Sequence, residues 1–88
     1  MEREITVKHE HGLHARPADL FVRTANRFQS NIQVVNITTG SSLVNAKSII
    51  RILGLGVCKD HTIRLIASGD DEAEALTALT DLIDNNFN

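Results

Sequence analysis

Apolar and polar residues alternate, or form short apolar runs, in four segments of this chain. Such patterns are typical of half-buried strands. The four predicted strands are residues 4–8, 32–37, 42–45 and 62–67. Ile5 and Val7 face inward from the first strand, and Ile63 and Leu65 face inward from the last. A turn at Thr38–Ser41 joins the second and third strands, which predicts an antiparallel hairpin.

Apolar residues at helical spacing predict three helices. The first begins at Ala15–Pro17, because proline is favoured in the first turn of a helix, and it ends near Gln29. The second is a short helix over Ile49–Leu53, with Ser48 as its N-cap and glycines after it. The third follows the acidic run Asp70–Glu72, which suits the positive end of a helix dipole.

The predicted order of elements is β-α-β-β-α-β-α. A sheet with one apolar face requires one layer of helices to cover it. We therefore expect an α/β fold of the α+β kind, an open-faced two-layer sandwich. In it, three helices cover one face of a four-stranded, mainly antiparallel sheet. The 88 residues contain no linker, repeat or low-complexity segment, so we expect a single domain over residues 1–88. The initial methionine and the polar final residues favour a complete small protein.

Composition excludes several classes of function. The chain has 9 Lys and Arg against 11 Asp and Glu, a net charge of −2, which excludes a broadly basic nucleic-acid-binding protein. No apolar stretch approaches the roughly 20 residues of a membrane helix, and the polar first residues contain no signal sequence. The one cysteine, Cys58, can form no internal disulfide, and we expect it to fill a small apolar space. These properties predict a cytoplasmic monomer that binds neither nucleic acid nor membrane.

The segment Gly12–Ala18 carries the candidate chemistry. His14 comes just before the first predicted helix, where free backbone N–H groups and the helix dipole favour an anion. The dipole also disfavours the imidazolium, and a neutral imidazole is a nucleophile. Arg16 adds a guanidinium suited to phosphate oxygens. This combination predicts a site that accepts a phosphoryl group. A capping histidine beside a solvated arginine is the alternative.

Three segments of the sequence form a recognisable set. They are Gly-Leu-His-Ala-Arg-Pro-Ala at 12–18, Asn-Ala-Lys-Ser-Ile-Ile at 45–50 with Leu-Gly-Leu-Gly at 53–56, and Ala-Ser-Gly at 67–69. Together they resemble the HPr family, the histidine-containing phosphocarriers of the bacterial phosphoenolpyruvate:sugar phosphotransferase system. The resemblance extends over essentially the whole chain and includes the predicted order of elements.

The resemblance implies a function and assigns roles to residues. His14 would accept a phosphoryl group on Nδ1 from phosphorylated enzyme I and pass it to a sugar-specific acceptor domain. Arg16 would stabilise the phosphohistidine, and Ala15 and Pro17 would form the helix N-terminus beside it. Such a protein is a phosphoryl carrier with a covalent phosphohistidine intermediate, not a self-standing enzyme. The resemblance implies no cofactor and no metal.

Ser48 has a structural and a regulatory interpretation. Its hydroxyl is a good N-cap for the second helix. By resemblance to Gram-positive family members, an ATP-dependent HPr kinase would phosphorylate it, and regulatory proteins would bind the product. Two alternative functions stay open: a nitrogen-related regulatory carrier of the same system, and a binding module regulated at Ser48. A protein with only the second role would not need the active histidine, which is present here as His14.

One face of the first helix is a candidate partner surface. Arg16, Arg23 and Arg27 are separated by helical spacings and share this face. Leu20 lies between them, away from the buried stripe, and is predicted to be exposed. An exposed leucine among arginines suits docking to an acidic partner. A solvated helix face with one incidental leucine is the alternative.

The second helix carries more apolar residues than a two-layer fold can bury. We assign Ile52 and Leu55 to the core. The predicted exposed apolar patch consists of Ile49, Ile50 and Leu53, with Arg51 at its rim. Family resemblance places this patch beside the active histidine.

Two histidines depart from the family pattern. His9 and His11 occupy positions where family members usually have small or neutral residues. Together with His14 they could be zinc ligands, because zinc accepts imidazole nitrogen. Three histidines without a fourth ligand are a weak metal motif, so we expect His9 and His11 to be surface residues and no metal to bind.

Overall fold

The seven elements follow the predicted order in the computed structural model, which describes residues 1–88. The strands are β1 (Glu2–Thr6), β2 (Asn31–Asn36), β3 (Val44–Asn45) and β4 (Thr62–Ser68). The helices are α1 (Ala15–Ala25), α2 (Ile49–Gly54) and α3 (Glu72–Asp84). None of the three helices has the length and apolar character required to cross a membrane.

The four strands form one sheet in the order β1-β4-β2-β3. Strand β4 pairs with β1 on one side and with β2 on the other, and β3 pairs with β2 alone; every pairing is antiparallel. Helix α3 packs on β4, and α1 packs between α2 and α3. The predicted open-faced sandwich is confirmed.

The apolar core lies between the sheet and the helices. Alternate residues of β2 and β4 point into it, as the period of two in a strand requires. Among the buried side chains are Ile32, Val34, Ile63 and Leu65 from the sheet and Phe21, Ile52, Leu76, Leu79 and Ile83 from the helices. Full burial of one such side chain contributes about 1.5–3 kcal/mol. The inward positions predicted for β4 and the core assignment of Ile52 and Leu55 are confirmed.

Some boundaries differ from the predicted ones. Helix α1 ends at Ala25 and not near Gln29. The side-chain amide of Asn26 donates to the Val22 carbonyl at 2.9 Å and to the Lys47 carbonyl at 3.2 Å. Because this side chain satisfies a carbonyl of the last turn, the chain can leave the helix there. The first and third strands are also displaced or shortened, to 2–6 and 44–45.

The segment before α1 lies directly against the segment after α2. Gly12 has φ +60, and a Cβ there would lie 2.1 Å from the Val57 carbonyl oxygen. The Leu13 N–H donates to the same oxygen at 2.9 Å. The Leu13 side chain is fully buried. Only glycine permits so close an approach of the two backbones at this position, and the approach holds the residue before His14 in place.

Asp71 joins the start of β2 to the start of α3. Its carboxylate accepts from the backbone N–H groups of Gln29 and Ser30, both at 2.9 Å, and from the Ser30 hydroxyl. The Ser30 hydroxyl bond, followed by the Gln29 N–H bond, lowers the pKa of Asp71 below its usual value. These bonds stabilise the ionised carboxylate in the folded state.

We expect Asp71 to make stability depend on acid pH. Its folded pKa lies below its unfolded value of about 3.9. The stabilisation is therefore complete above that value and is lost as pH falls through the folded pKa. Urea unfolding at a series of pH values should show a steeper acid loss of unfolding free energy in the parent than in Asp71→Asn. Asp70→Asn, which alters an exposed neighbour, is the control; an Asp71→Asn profile parallel to that of the parent contradicts this role.

Candidate functional site

His14 stands at the N-cap of α1 but does not act as its cap. Its backbone is extended, with φ −125 and ψ 161, and its side chain makes no capping hydrogen bond. The side chain is half-buried. The alternative interpretation of His14 as a capping residue is therefore wrong, and the imidazole is not engaged in closing the helix.

Ala15 has a backbone conformation that its residue type does not predict. Its φ of 49 lies in the left-handed region. For a residue with a Cβ this costs roughly 1–2 kcal/mol. The N–H groups of Ala15 and Arg16 lie in the first turn, have no intrahelical acceptor and donate to no other protein group. Such N–H groups at a helix start are suited to hold an anion beside His14.

Arg16 is exposed and forms no ion pair with the protein. Other arginines differ. Arg23 pairs with Asp19 at 3.0 Å, and Arg64 pairs with Glu4 at 2.6 Å. The Arg16 guanidinium retains all its N–H donors for a ligand, and its planar fork matches phosphate oxygens.

Helices α1 and α2 run in opposite directions across the same surface. The Lys47 ammonium donates to the Phe28 carbonyl at 2.7 Å, which places the start of α2 at the end of α1. The Leu13 bond to Val57 places the end of α2 at the start of α1. His14, the residue after Leu13, therefore lies on the side of the molecule where α2 ends, and Ser48 lies at the opposite end of that helix. Ser48 is the N-cap, and its hydroxyl accepts from the Arg51 N–H at 3.4 Å.

The apolar patch of Ile49, Ile50 and Leu53 is exposed as predicted. Ile50 is 78% exposed, Leu53 41% and Ile49 39%. Ile52 of the same helix is fully buried. A large apolar side chain that is 78% exposed contributes little burial free energy to the free protein. An exposed apolar patch of this kind indicates a surface that contacts another molecule.

The arginine face of α1 differs from the predicted one. Leu20 is half-buried and packs against the core, so the prediction of an exposed leucine is wrong. Because α1 packs between α2 and α3, its flanks are covered as well as its inner stripe. Asp19 offsets the charge of Arg23. Arg27 lies beyond the end of α1 at Ala25, so its predicted place on this helix face is wrong, and its guanidinium lies 5.6 Å from the centre of the Phe28 ring. Arg16 is thus the member of this face whose charge is directed to no protein group.

The turn that supports the Gly12–Leu13 contact is held by His61. Its Nδ1 lies 3.1 Å from the backbone nitrogen of Cys58, which donates to it, and 3.2 Å from the side-chain nitrogen of Asn36. Asn36 is completely buried. Cys58 itself is exposed, so its predicted role as an apolar filler is wrong. It follows Val57, which is completely buried, in the turn-containing segment after α2.

The structure does not bring His9, His11 and His14 together as metal ligands. No group of three or more His, Cys, Asp or Glu side chains has an arrangement that could hold a metal ion. His9 and His11 instead lie next to each other, with ring centres 5.5 Å apart.

Comparisons with known proteins identify the family to which the chain belongs. The PTS-HPr family profile, described as the phosphorylation site of the HPr component, matches residues 1–85. The chain is 48% identical over 83 residues to phosphocarrier protein HPr of Haloferax volcanii, covering 94% of this chain and 92% of that protein. It is 40% identical over 83 residues to the multiphosphoryl transfer protein of Salmonella typhimurium, covering 94% of this chain and 22% of that longer protein. The crystal structure of HPr-C-His from Thermoanaerobacter tengcongensis has a TM-score of 0.93 and 49% identity, over 99% of this chain and 94% of that chain. The chain belongs to the HPr family, the phosphocarriers of the phosphotransferase system.

Proposed function

We propose that His14 accepts a phosphoryl group on Nδ1 from phosphorylated enzyme I and passes it to sugar-specific acceptor domains. The observation that carries this proposal is the His14 imidazole at the start of α1, which makes no capping hydrogen bond and lies two residues before the unpaired Arg16. As the nitrogen–phosphorus bond to His14 forms, the bond between phosphorus and the donor breaks. The second transfer reverses these roles, with His14 as the leaving group.

The residues around His14 supply positioned donors for this transfer. A phosphoryl group in transit carries its charge on three equatorial oxygens, and catalysis consists mainly of holding those oxygens in place. The Arg16 guanidinium and the free N–H groups of Ala15 and Arg16 are suited to that task. The site is shallow, so two successive partners can reach the same nitrogen.

Docking would use the surface shared by α1 and α2. The apolar patch of Ile49, Ile50 and Leu53 lies on α2, which ends on the same side of the molecule as His14. Arg16 and Arg51 would face acidic residues of a partner. Both the donor and the acceptors must reach this surface, which supports a monomer as the acting form. The exposed free thiol of Cys58 is compatible with a reducing cytoplasm.

Regulation through Ser48 is a further part of the proposal. A phosphate added by an ATP-dependent kinase would stand at the N-terminus of α2, where the helix dipole stabilises it. It would lie next to Ile49 and Ile50 and at the far end of α2 from His14. Its charge would therefore act on docking rather than on the imidazole. Ser48→Asp should slow the labelling of His14 by enzyme I, and labelling as fast as in the parent would contradict this regulation.

His14→Ala should abolish labelling by radioactive phosphoenolpyruvate and enzyme I. The parent should carry an acid-labile, base-stable phosphate, as expected for a phosphohistidine. His9, His11 and His61 remain in this variant. Loss of label would thus assign the acceptor to one histidine of four, whereas a His14→Ala protein that still became labelled would disprove the assignment.

Arg16→Ala should slow phosphoryl transfer by about 10²–10³-fold, the usual effect of removing one positioned donor. Because Arg16 is exposed and unpaired, we expect the unfolding free energy to change by no more than about 0.5 kcal/mol. Rapid-quench measurement of His14 labelling gives the rate, and urea unfolding gives the stability. Arg3→Ala, which removes an equal charge from β1, is the control. Equal rates in the two variants would contradict the role of Arg16.

Ile50→Asp should weaken docking and leave the fold intact, because the side chain is 78% exposed. The concentration of this protein that gives half-maximal labelling by enzyme I should rise about tenfold, equivalent to about 1.4 kcal/mol. Ile52→Asp, two positions away, should instead unfold the protein, since it places an unpaired charge in the core. Circular dichroism separates the two effects. The docking role fails if Ile50→Asp is labelled as readily as the parent.

A further inference from the structure

Asn36 is a completely buried polar residue at the end of β2, and the proposed chemistry assigns it no role. Its side-chain amide forms hydrogen bonds with three separate segments of the chain. The amide nitrogen lies 3.4 Å from the Leu55 carbonyl oxygen and 3.2 Å from Nδ1 of His61, and Oδ1 accepts from the Thr39 N–H at 3.3 Å. A buried amide is tolerated in a core when its donors and acceptors have partners, and here both its nitrogen and its oxygen have them.

Backbone groups fix the direction of each bond around this amide. The Thr39 N–H can only donate and the Leu55 carbonyl can only accept, so the amide presents Oδ1 to the first and Nδ2 to the second. The second hydrogen on Nδ2 is then available to Nδ1 of His61, which also accepts from the Cys58 N–H at 3.1 Å. Because both groups that meet Nδ1 are donors, the neutral His61 ring carries its proton on Nε2.

The backbone of His61 is held independently of its ring. Its carbonyl oxygen accepts from the Val7 N–H at 2.9 Å, and its own N–H donates to the Cys58 carbonyl at 3.1 Å. The neighbouring Asp60 N–H donates to the Val7 carbonyl at 2.7 Å. His61 is half-buried. A substitution of the ring can therefore remove its acceptor while the backbone bonds of the turn remain.

The His61 ring acts on the peptide group that joins Val57 to Cys58. The N–H that donates to Nδ1 and the carbonyl that accepts from Leu13 belong to this one peptide group. Its atoms lie in one plane, and in the trans form the N–H and the carbonyl point in opposite directions. A bond that holds the N–H therefore also fixes the direction of the carbonyl oxygen. That oxygen meets the Leu13 N–H at 2.9 Å, one residue before His14.

We propose that His61 and Asn36 are positioning residues for the phosphorylation of His14. This inference rests on the proposed function of His14. Asn36 orients the His61 ring, and the ring orients the Val57 carbonyl. That carbonyl holds Leu13, and with it the start of α1. A displacement of about 1 Å can slow a reaction on the order of 10²-fold, so the direction of this carbonyl affects the rate of transfer.

Two substitutions of similar shape separate the acceptor from the space it fills. Asparagine places Oδ1 close to the position of the histidine Nδ1 and can accept both N–H groups, whereas leucine has the same branching and no acceptor. His61→Leu should lower the maximal rate of His14 labelling by about tenfold or more. The concentration that gives half-maximal labelling should stay within about twofold of the parent value, because the docking patch is unchanged.

Rescue by asparagine is the matched control. His61→Asn should be labelled at a maximal rate within about threefold of the parent. Two results would overturn the proposal: a parent-like maximal rate in His61→Leu, or a rate in His61→Asn as low as that in His61→Leu. Circular dichroism should show that both variants are folded, since the turn keeps its backbone bonds.

NMR follows the path from Asn36 to Leu13 in the same variants. The Leu13 amide should exchange with solvent about tenfold or more faster in His61→Leu than in the parent, and at the parent rate in His61→Asn. The side-chain NH₂ resonances of Asn36 should move in His61→Leu, because one of its acceptors is gone. Slower labelling without faster Leu13 exchange contradicts the path, and unmoved Asn36 resonances contradict the role of Asn36.

Asp71→Asn separates positioning from a general loss of stability. The bonds of Asp71 hold the start of β2, whereas Asn36 lies at its end. This variant should be less stable than the parent but should keep the parent's maximal labelling rate. Equal slowing in Asp71→Asn and His61→Leu would overturn the proposal. Failure of the proposed function is recognised separately, because the parent itself would then carry no label on His14.

Discussion

The candidate functional site depends on one backbone contact, the approach of Gly12 and Leu13 to the Val57 carbonyl. The 2.9 Å bond from the Leu13 N–H joins the loop before α1 to the chain after α2. The missing side chain of Gly12 permits the approach. Because Leu13 is buried by this contact, the next residue, His14, is held at the surface between two helices. A small domain with a thin core obtains a rigid site from a few such long-range bonds.

Some surface arginines are paired with a carboxylate and others are not, and this difference distinguishes the candidate site from its surroundings. Arg23 and Arg64 are each satisfied by a nearby carboxylate. Arg16 is exposed and has no such partner. An arginine without a local carboxylate can bind an incoming anion without first breaking an internal ion pair. The same residue type therefore stabilises the fold in β4 and, in the proposed function, serves the chemistry at the start of α1.

Patterns within a few residues predicted most of the fold. The alternation of apolar and polar residues in β4 predicted that Ile63 and Leu65 point inward. Helical spacing in α2 distinguished the buried Ile52 from the exposed Ile50. His14 and Arg16 could be singled out from the sequence because their motif is contiguous, and their roles stay a prediction. The burial of Leu20 and the exposure of Cys58 were missed, since both depend on which elements become neighbours in three dimensions.

Several supporting interactions have no local signal for the same reason. Asp71 binds Ser30 across 41 residues of sequence. From the sequence, the acidic run at the start of α3 predicted only a favourable interaction with the helix dipole. His9 meets Phe87 from the other end of the chain, and the positive φ of Ala15 follows from tertiary packing rather than from its residue type.

The opposed directions of α1 and α2 set the spacing of two helix N-termini on one surface. A helix of six residues is about 9 Å long, so a phosphate at Ser48 and one at His14 would be separated by at least roughly that length. At physiological ionic strength the screening length is about 8 Å. Two such groups in water would repel each other only weakly. If both residues are phosphorylated as proposed, electrostatic repulsion within the protein would not prevent it from carrying both groups at once, and mutual exclusion would require discrimination by the partner enzymes.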